Sequence, residues 1–381
     1  MNVRNISLSA LGLAGLMAGA AHAADAPKWY DKVSLGGYVD SYYQQNLSGD
    51  PVSVSSVNTG GNPANRVFDT KANQFQFGGG ELTLSAADDK SKTSYYLDLL
   101  LGPVADIINK PNYGASGFMV GQAYATDTFG NAKFTMGKFG TIIGTEVTNP
   151  LSNPNFSRGL VYALEPVYST GLKLDYSLPM SMVLTGVLDD GNSVDSAISE
   201  GKGYGLELAY SGIKGLTSSV AYYGAPSSKD QVVATPGGAV TIGGIAYSDF
   251  VNVLLAYQAM DSLSFNAEYL YNTTIMAYTG PQAQNPKTNA YALYASWATP
   301  MAGLSVVPRF EQVITPDNDN LTAPYVMNSY TLTLMYADGP LTHYLEFRDD
   351  SSDLFQFSDN KTTPTMSQSQ MTLTYAAAYG F

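Results

Sequence analysis

The chain of 381 residues has no cysteine and only two histidines. Without thiols it holds no disulfide framework and no thiolate metal site. Charge is scarce as well: Asp, Glu, Lys and Arg make up 13% of the residues, about half the share of an ordinary soluble domain. The charge that is present leans acidic, with 32 acidic residues against 19 basic ones and a net charge of −13. A nucleic-acid partner requires a basic surface and is excluded on that ground. Beyond residue 25 there is no apolar run long enough for a spanning helix, which needs about 18 residues. Gly (37) and Tyr (28) take the place of the missing charges, together with Ser, Thr and Asn, and the mean hydropathy is −0.06.

The N-terminus reads as an export signal. Arg4 supplies a basic start, an apolar stretch runs from Ile6 to Ala20, and Ala21-His22-Ala23 has the small-x-small pattern of a cleavage site. The expected organisation is a signal peptide over 1–23 and a single domain over 24–381, in which His343 is the one histidine.

From there the hydrophobic period is two. Tyr204, Leu206, Leu208 and Tyr210 alternate with Gly205, Glu207 and Ala209, and Leu172, Leu174, Tyr176 and Leu178 alternate with Lys173, Asp175 and Ser177. Tyr330 to Tyr336 and Leu341 to Phe347 repeat the pattern, so each segment is a strand with one apolar and one polar face. No helical stripe stands out. Short connections rich in Gly, Pro, Asp or Asn, as tight hairpins demand, fall at 87–92, 128–132, 178–181, 211–215, 259–262, 299–303 and 337–340. Long ones fall at about 48–72, 103–117, 142–167, 190–201, 225–245, 275–288, 316–325 and 351–366. Seven short turns alternating with eight long loops separate sixteen strands. Strands of about 9–11 residues, an even strand number and unequal loops are the marks of an outer-membrane barrel. Aromatic residues such as Tyr95, Trp297, Tyr271 and Phe347 flank the apolar stripes, where interfacial girdles would lie. The expected fold is therefore all-β: a transmembrane antiparallel up-and-down β-barrel with short periplasmic turns and long external loops. A secreted solenoid or sandwich would lack the alternation of short and long connections.

Two local features support this reading. In the last segment Met371, Leu373, Tyr375, Ala377, Tyr379 and Phe381 share one face, and it is expected to pair with the first strand near Val33–Tyr43. A terminal aromatic such as Phe381 resembles the assembly signal read by the barrel-assembly machinery. Further upstream, Phe75 and Phe77 have the opposite parity to Leu82 and Leu84, with Gly78-Gly79-Gly80 between them. A glycine bulge there would flip the phase and keep both pairs in lipid.

The segment Gly137-Lys138-Phe139, Gly144-Thr145-Glu146, Asn149-Pro150, Ser157-Arg158, Glu165-Pro166 and Thr170-Gly171 resembles the β-barrel porin-2 (OmpL-like) family. The resemblance implies an outer-membrane location and supplies no catalytic residues. Trimeric general porins carry a constriction loop between strands five and six, where loop 142–167 falls here, so a homotrimer and a constriction at Glu146, Arg158 and Glu165 are what the likeness implies. This loop departs from those porins in carrying few acids, Glu146 and Glu165 only. Pro150, Pro154 and Pro166 stiffen it, and its apolar residues, among them Ile142, Ile143, Phe156 and Leu160, are expected to turn it inward. A cap packed on the barrel mouth is the competing arrangement.

Because lipid-facing positions must be apolar, the charged positions of the opposite parity line the lumen. These are Asp40, Glu81, Asp98, Asp175, Glu207, Glu268, Glu311 and Glu346, against Lys133, Lys173, Arg309 and Arg348. The pairs Lys173–Asp175, Arg309–Glu311 and Glu346–Arg348 are each two residues apart on one face and would brace the wall. The acidic excess biases the field in a low-dielectric pore towards cations.

Other signals are weaker. Gly201-Lys202-Gly203-Tyr204-Gly205 lacks the helix that a nucleotide loop needs. The runs Asp189-Asp190-Gly191-Asn192 and Asp317-Asn318-Asp319-Asn320 have calcium-type oxygens but read as solvated loops, so no metal and no cofactor is assigned. A hydrolase wants a histidine base beside a nucleophile, and His343 falls on the lipid face, so no enzyme is expected. The expectation is a water-filled pore for small hydrophilic solutes or ions, weakly cation-preferring, whose surroundings are outer-membrane lipid. The alternative is a structural or adhesive barrel acting through its external loops.

Overall fold

The computed structural model describes residues 32–48, 66–88, 91–113, 116–193, 201–235, 238–276, 287–316, 324–353, 357–358 and 366–381. The proposed signal peptide, most of loop 48–72 and the run Asp317–Asn320 lie outside the described residues. Sixteen antiparallel strands close into one barrel. In chain order they are β1 Val33–Asn46, β2 Gln74–Asp88, β3 Thr93–Leu101, β4 Phe118–Phe129, β5 Ala132–Gly140, β6 Tyr168–Leu178, β7 Met182–Asp189 and β8 Gly203–Ile213. The second half comprises β9 Leu216–Thr235, β10 Gly238–Met260, β11 Leu263–Met276, β12 Lys287–Ala298, β13 Leu304–Thr315, β14 Tyr325–Asp338, β15 Leu341–Ser352 and β16 Ser369–Gly380. Each strand pairs with its sequence neighbours, and β16 closes on β1 with Tyr38 opposite Gly380 and Tyr43 opposite Tyr375. Closure satisfies every edge, which a barrel in hydrocarbon requires.

Alternation sorts the two faces as the period demands. On β16, Met371, Leu373, Tyr375, Tyr379 and Phe381 are exposed on the outside, while Thr372, Thr374, Ala376 and Ala378 are buried within. The seam between β1 and β2 shifts register between Asp40 and Ser41, with Asp40 opposite Gly79 and Ser41 opposite Phe77, so Gly78 is the extra residue of a bulge. Phe75 and Phe77 stay exposed outside, and Glu81 turns inward. A Cβ at Gly78 would sit 2.5 Å from the Asp40 carboxylate, so glycine there makes room for an inward acid.

Two elements differ from the sequence expectation. Residues 103–113 form a helix, α1 Pro103–Tyr113, although no helical stripe was expected. Its Val104, Ala105 and Ile108 pack inside the barrel against Leu100, Met119 and Tyr168. The stretch 225–245, expected as a loop, continues β9 and β10 as a long hairpin, with Thr235 opposite Gly238. Ladder pairing overrides the Pro226 and Gly signals, because the register shifts near Ala246 and Tyr247 absorb the irregular residues.

Three segments turn into the lumen: the tail of the first long loop (66–73), α1, and loop 142–167. The largest apolar cluster lies inside the barrel, where Ile142, Ile143, Leu160 and Val161 of the loop meet inward side chains of β7 to β14, including Phe250, Leu270, Ala292 and Met327. A second contact joins Phe156 of the loop to Tyr42 and Tyr344, with ring centroids 5.8 and 5.6 Å apart.

Candidate functional site

Loop 142–167 begins after β5, where the ladder ends at Gly140, and two short 3-10 turns at Pro150–Ser152 and Tyr162–Leu164 shape it. Asn149 caps the first by accepting from the Leu151 N–H at 2.9 Å, and Asn153 spans the turn by donating to the Val147 and Asn149 carbonyls. Arg158 holds the loop from within. Its guanidinium donates to the carbonyls of Val147 (2.8 Å), Thr148 (2.5 Å) and Phe156, and lies over the Phe68 ring. An arginine that closes three carbonyls of its own loop gives a folded object rather than a mobile strap.

The far wall holds that object. Arg309 on β13 donates to the Glu146 carboxylate and the Ser157 carbonyl, each at 2.7 Å. It also pairs with Glu311 at 3.1 Å. Glu311 in turn accepts the Val161 N–H at 3.1 Å. Glu346 on β15 accepts the N–H groups of Phe156 and Ser157, and Arg348 donates to the Arg158 carbonyl at 2.7 Å. Asn155 reaches Val307 and Thr333, and the Gly144 N–H reaches Asn252 on β10. On the near side Asn149 donates to Glu81 on β2 at 2.9 Å. The loop is thus fixed to β13–β15 and also touches β2.

Of the inward positions named from the sequence, Asp40, Glu81, Asp98, Glu207, Glu268, Arg309, Glu311, Glu346 and Arg348 are buried inside the barrel. Asp175 and Lys173 are half-buried, and Lys133 is exposed near the 129–132 turn. The Arg309–Glu311 brace is present at 3.1 Å. Arg348, however, pairs with Asp350 at 2.7 Å rather than with Glu346, whose carboxylate is taken by the loop backbone. Asp175 accepts from Thr185 at 2.8 Å. Lys133 on β5, Lys173 and Asp175 on β6, and Glu207 on β8, one strand beyond β7, are two bases against two acids, so their charges offset one another.

The sequence reading missed several members. Arg66 is fully buried between Asp69 and Asp350, and donates to Thr372 at 3.1 Å. Lys138 places its Nζ 3.8 Å from the Tyr168 ring centre. Asp350 was legible as the next same-face position after Arg348, whereas Arg66 sits in a loop with no period to locate it.

Between the loop and the β2–β5 wall remains a cavity of about 190 Å³, lined by Glu81, Asp98, Glu146 and Glu165 and by Tyr96 and Tyr124. Among the described residues no Arg or Lys lines it. Arg309 and Arg348 are spent on the opposite wall as anchors, while Lys138 of β5 rests on the lining ring of Tyr168, and four acids line the space that is left.

Glu165 sits where β6 is about to begin, its Oε2 against Gly144, where a Cβ would come within 1.8 Å. Burial, and then the facing carboxyls Glu268, Glu146 and Glu311, push Glu165 well above the usual carboxylate range. A raised carboxyl favours the docked loop most at low pH. That contribution is lost as pH rises from the ordinary glutamate value of about 4.3 through the raised one. Conductance should therefore increase with pH across that window, and Glu165→Gln, neutral throughout, should remove this component. Identical pH profiles for the two proteins would contradict the docking role of a protonated Glu165.

A family model described as "Putative beta-barrel porin-2, OmpL-like" matches residues 32–381. No curated protein sequence matches the chain. Among solved structures, OmpT of Vibrio cholerae in a trimer form is 13% identical, covering 92% of this chain and 99% of that one with a TM-score of 0.63. An anion-selective porin from Comamonas acidovorans is 12% identical over 92% and 99%, with a TM-score of 0.60. Salmonella typhi OmpF, in complex with daunomycin, is 14% identical over 93% and 99%, with a TM-score of 0.58.

Proposed function

Because the chain belongs to the β-barrel porin-2 (OmpL-like) family of bacterial outer-membrane barrels, we propose that it is a channel for passive diffusion of small hydrophilic solutes, with a weak preference for cations. Sixteen strands enclose more space than the wall side chains alone fill. The single observation that carries the reading is the inserted loop 142–167: its anchors consume Arg309 and Arg348, and the space left beside it is lined by Glu81, Asp98, Glu146 and Glu165. Those carboxylates, focused by low-dielectric walls, favour cations at the narrowest level. Glu146, Arg158 and Glu165 form the constriction, with Arg158 acting by shaping the loop. His343 sits on the lipid side with its Nδ1 2.9 Å from the Tyr375 hydroxyl, far from these acids, which favours transport over hydrolysis. By likeness to the trimer form of the Vibrio protein, the assembly is a homotrimer.

Reconstitution of the purified protein into a planar bilayer tests this. Discrete conductance steps are expected, with a reversal potential in a KCl gradient on the potassium side at 0.1 M, where screening extends over about 10 Å. The preference should fade near 1 M, where that length falls to about 3 Å. Chloride preference at low salt would overturn the charge argument, and a folded barrel without steps would overturn the channel.

A further inference from the structure

We propose that the cavity between loop 142–167 and the β2–β5 wall binds a small organic cation: an ammonium or guanidinium group carried on an apolar body. This rests on the channel reading above and names the solute class that the constriction holds.

Three observations converge on that chemistry. The first is unmet hydrogen-bonding capacity. Asp98 is 5% exposed and lines the cavity, yet its Oδ1 has no hydrogen-bond partner, and Glu165, another lining residue, has a buried Oε1 likewise unpartnered although its side chain also meets Glu268. Buried acceptors without donors are rare, and two lining residues that each carry one leave this site short of a donor group. The neighbouring Glu81 and Asp98 side chains hydrogen-bond to each other, which needs a proton on one of them, and a cation beside them would take over the role of that proton.

The second is the aromatic lining. Tyr96 and Tyr124 stack with ring centres 5.4 Å apart and 26° between planes, and they form one wall of the cavity. The chain itself already places an ammonium on such a ring: Lys138 Nζ lies 3.8 Å from the centre of Tyr168, another lining residue. Ring faces attract cations, most strongly where water is displaced.

The third is the exclusion of other ligands. Four carboxyls, with no lining base among the described residues, disfavour an anion. A calcium ion takes six to eight oxygens, and among the described residues no three acidic or histidine side chains group closely enough to hold a metal. Leu100, Ile108 and Met119 on the same cavity suit a hydrocarbon body instead. At about 190 Å³ the space equals about six water volumes, room for a small amine and too little for an oligosaccharide.

The probe is phenethylamine, compared with 2-phenylethanol and phenylacetate, added to the full chain in a planar bilayer and, separately, titrated calorimetrically into the detergent-solubilised protein. The amine should interrupt the ion current in a concentration-dependent way and bind saturably, and the neutral and anionic analogues should do neither. Asp98→Asn should weaken amine binding about tenfold, the loss of one charge-assisted contact. Lys138→Met, which removes a competing ammonium, should tighten it. Equal effects of all three probes, no saturable amine binding, or full affinity in Asp98→Asn would overturn the proposal. Comparing the three probes on the unmodified protein decides the matter even where a variant fails to fold. A protein that binds the amine but carries no current would refute the channel while leaving the site intact, so the two failures are distinguishable.

Discussion

Replacing Arg309 with methionine should raise the single-channel conductance several-fold while the barrel stays folded. Arg309 joins the wall to the loop: it meets Glu146 and the Ser157 carbonyl at 2.7 Å, the Ser157 hydroxyl at 3.1 Å and Glu311 at 3.1 Å, all in the buried interior. Methionine fills comparable volume but leaves Glu146 and Glu311 as buried carboxylates without their counter-charge. Breaking a buried pair from one side costs about 3–5 kcal/mol. The barrel ladder is untouched, because the backbone of β13 stays paired at Arg309 with Tyr294 and Thr331. The cost therefore falls on loop docking, and swinging the loop out lets water solvate Glu146 again. Conductance, and a heat-dependent gel shift to verify folding, check this together. An unchanged conductance in a folded variant would mean that Glu346, Asn155 and the apolar contacts of Leu160 and Val161 hold the loop without Arg309.

Deleting Phe381 should lower the amount of assembled barrel by about an order of magnitude, the factor that accompanies a loss of about 1.4 kcal/mol. Two effects combine. Phe381 completes the seam by exchanging two backbone hydrogen bonds with Gly37, each 3.1 Å, where β16 meets β1. Its ring lies over Gly37, where a Cβ would come within 2.9 Å of the ring edge, so glycine and phenylalanine fit as a pair. The exposed ring is also the terminal aromatic that we propose the assembly machinery reads. Phe381→Lys keeps the backbone bonds, and near an interface the charge costs only about 0–1 kcal/mol, so a smaller loss from this substitution is expected to come mainly from recognition. Barrels that do form should conduct normally. Immunoblotting of outer-membrane fractions measures the effect; undiminished membrane levels of the deletion would refute the assembly role.

Much of this architecture is legible in the chain because hydrocarbon imposes a strict rule on it. Lipid admits only apolar side chains outside, so period two fixes strand number, turn positions and which of Asp98, Glu207, Glu311 and Arg348 point inward. The same rule exposes the Gly78 bulge, since Phe75 and Leu82 cannot otherwise both face lipid. The rule does not apply inside the barrel. Helix α1 has an apolar face of only Val104, Ala105 and Ile108, too short a stripe to stand out beside Asn109 and Pro111. Partner choice is the least legible feature. Spacing suggests that Glu346 pairs with Arg348, but the backbone of Phe156 and Ser157, nearly two hundred residues away, offers Glu346 two donors, and Arg348 turns to Asp350. The Arg66–Asp350 pair joins two segments that only the closed barrel brings together. The inward turn of loop 142–167 follows from its apolar residues; which wall it grips depends on where Arg309 and Glu346 stand once the barrel has closed.

If loop 142–167 narrows a water-filled pore, as proposed above, shortening the loop widens that pore. Removing residues between Thr148 and Asn155 takes out the Asn149 contact to Glu81 while leaving every barrel strand intact. In a planar bilayer, beside the full-length chain at the same salt, the shortened and still heat-modifiable barrel should carry a larger single-channel current with a weaker preference for potassium. An unchanged conductance in that folded variant would contradict the account.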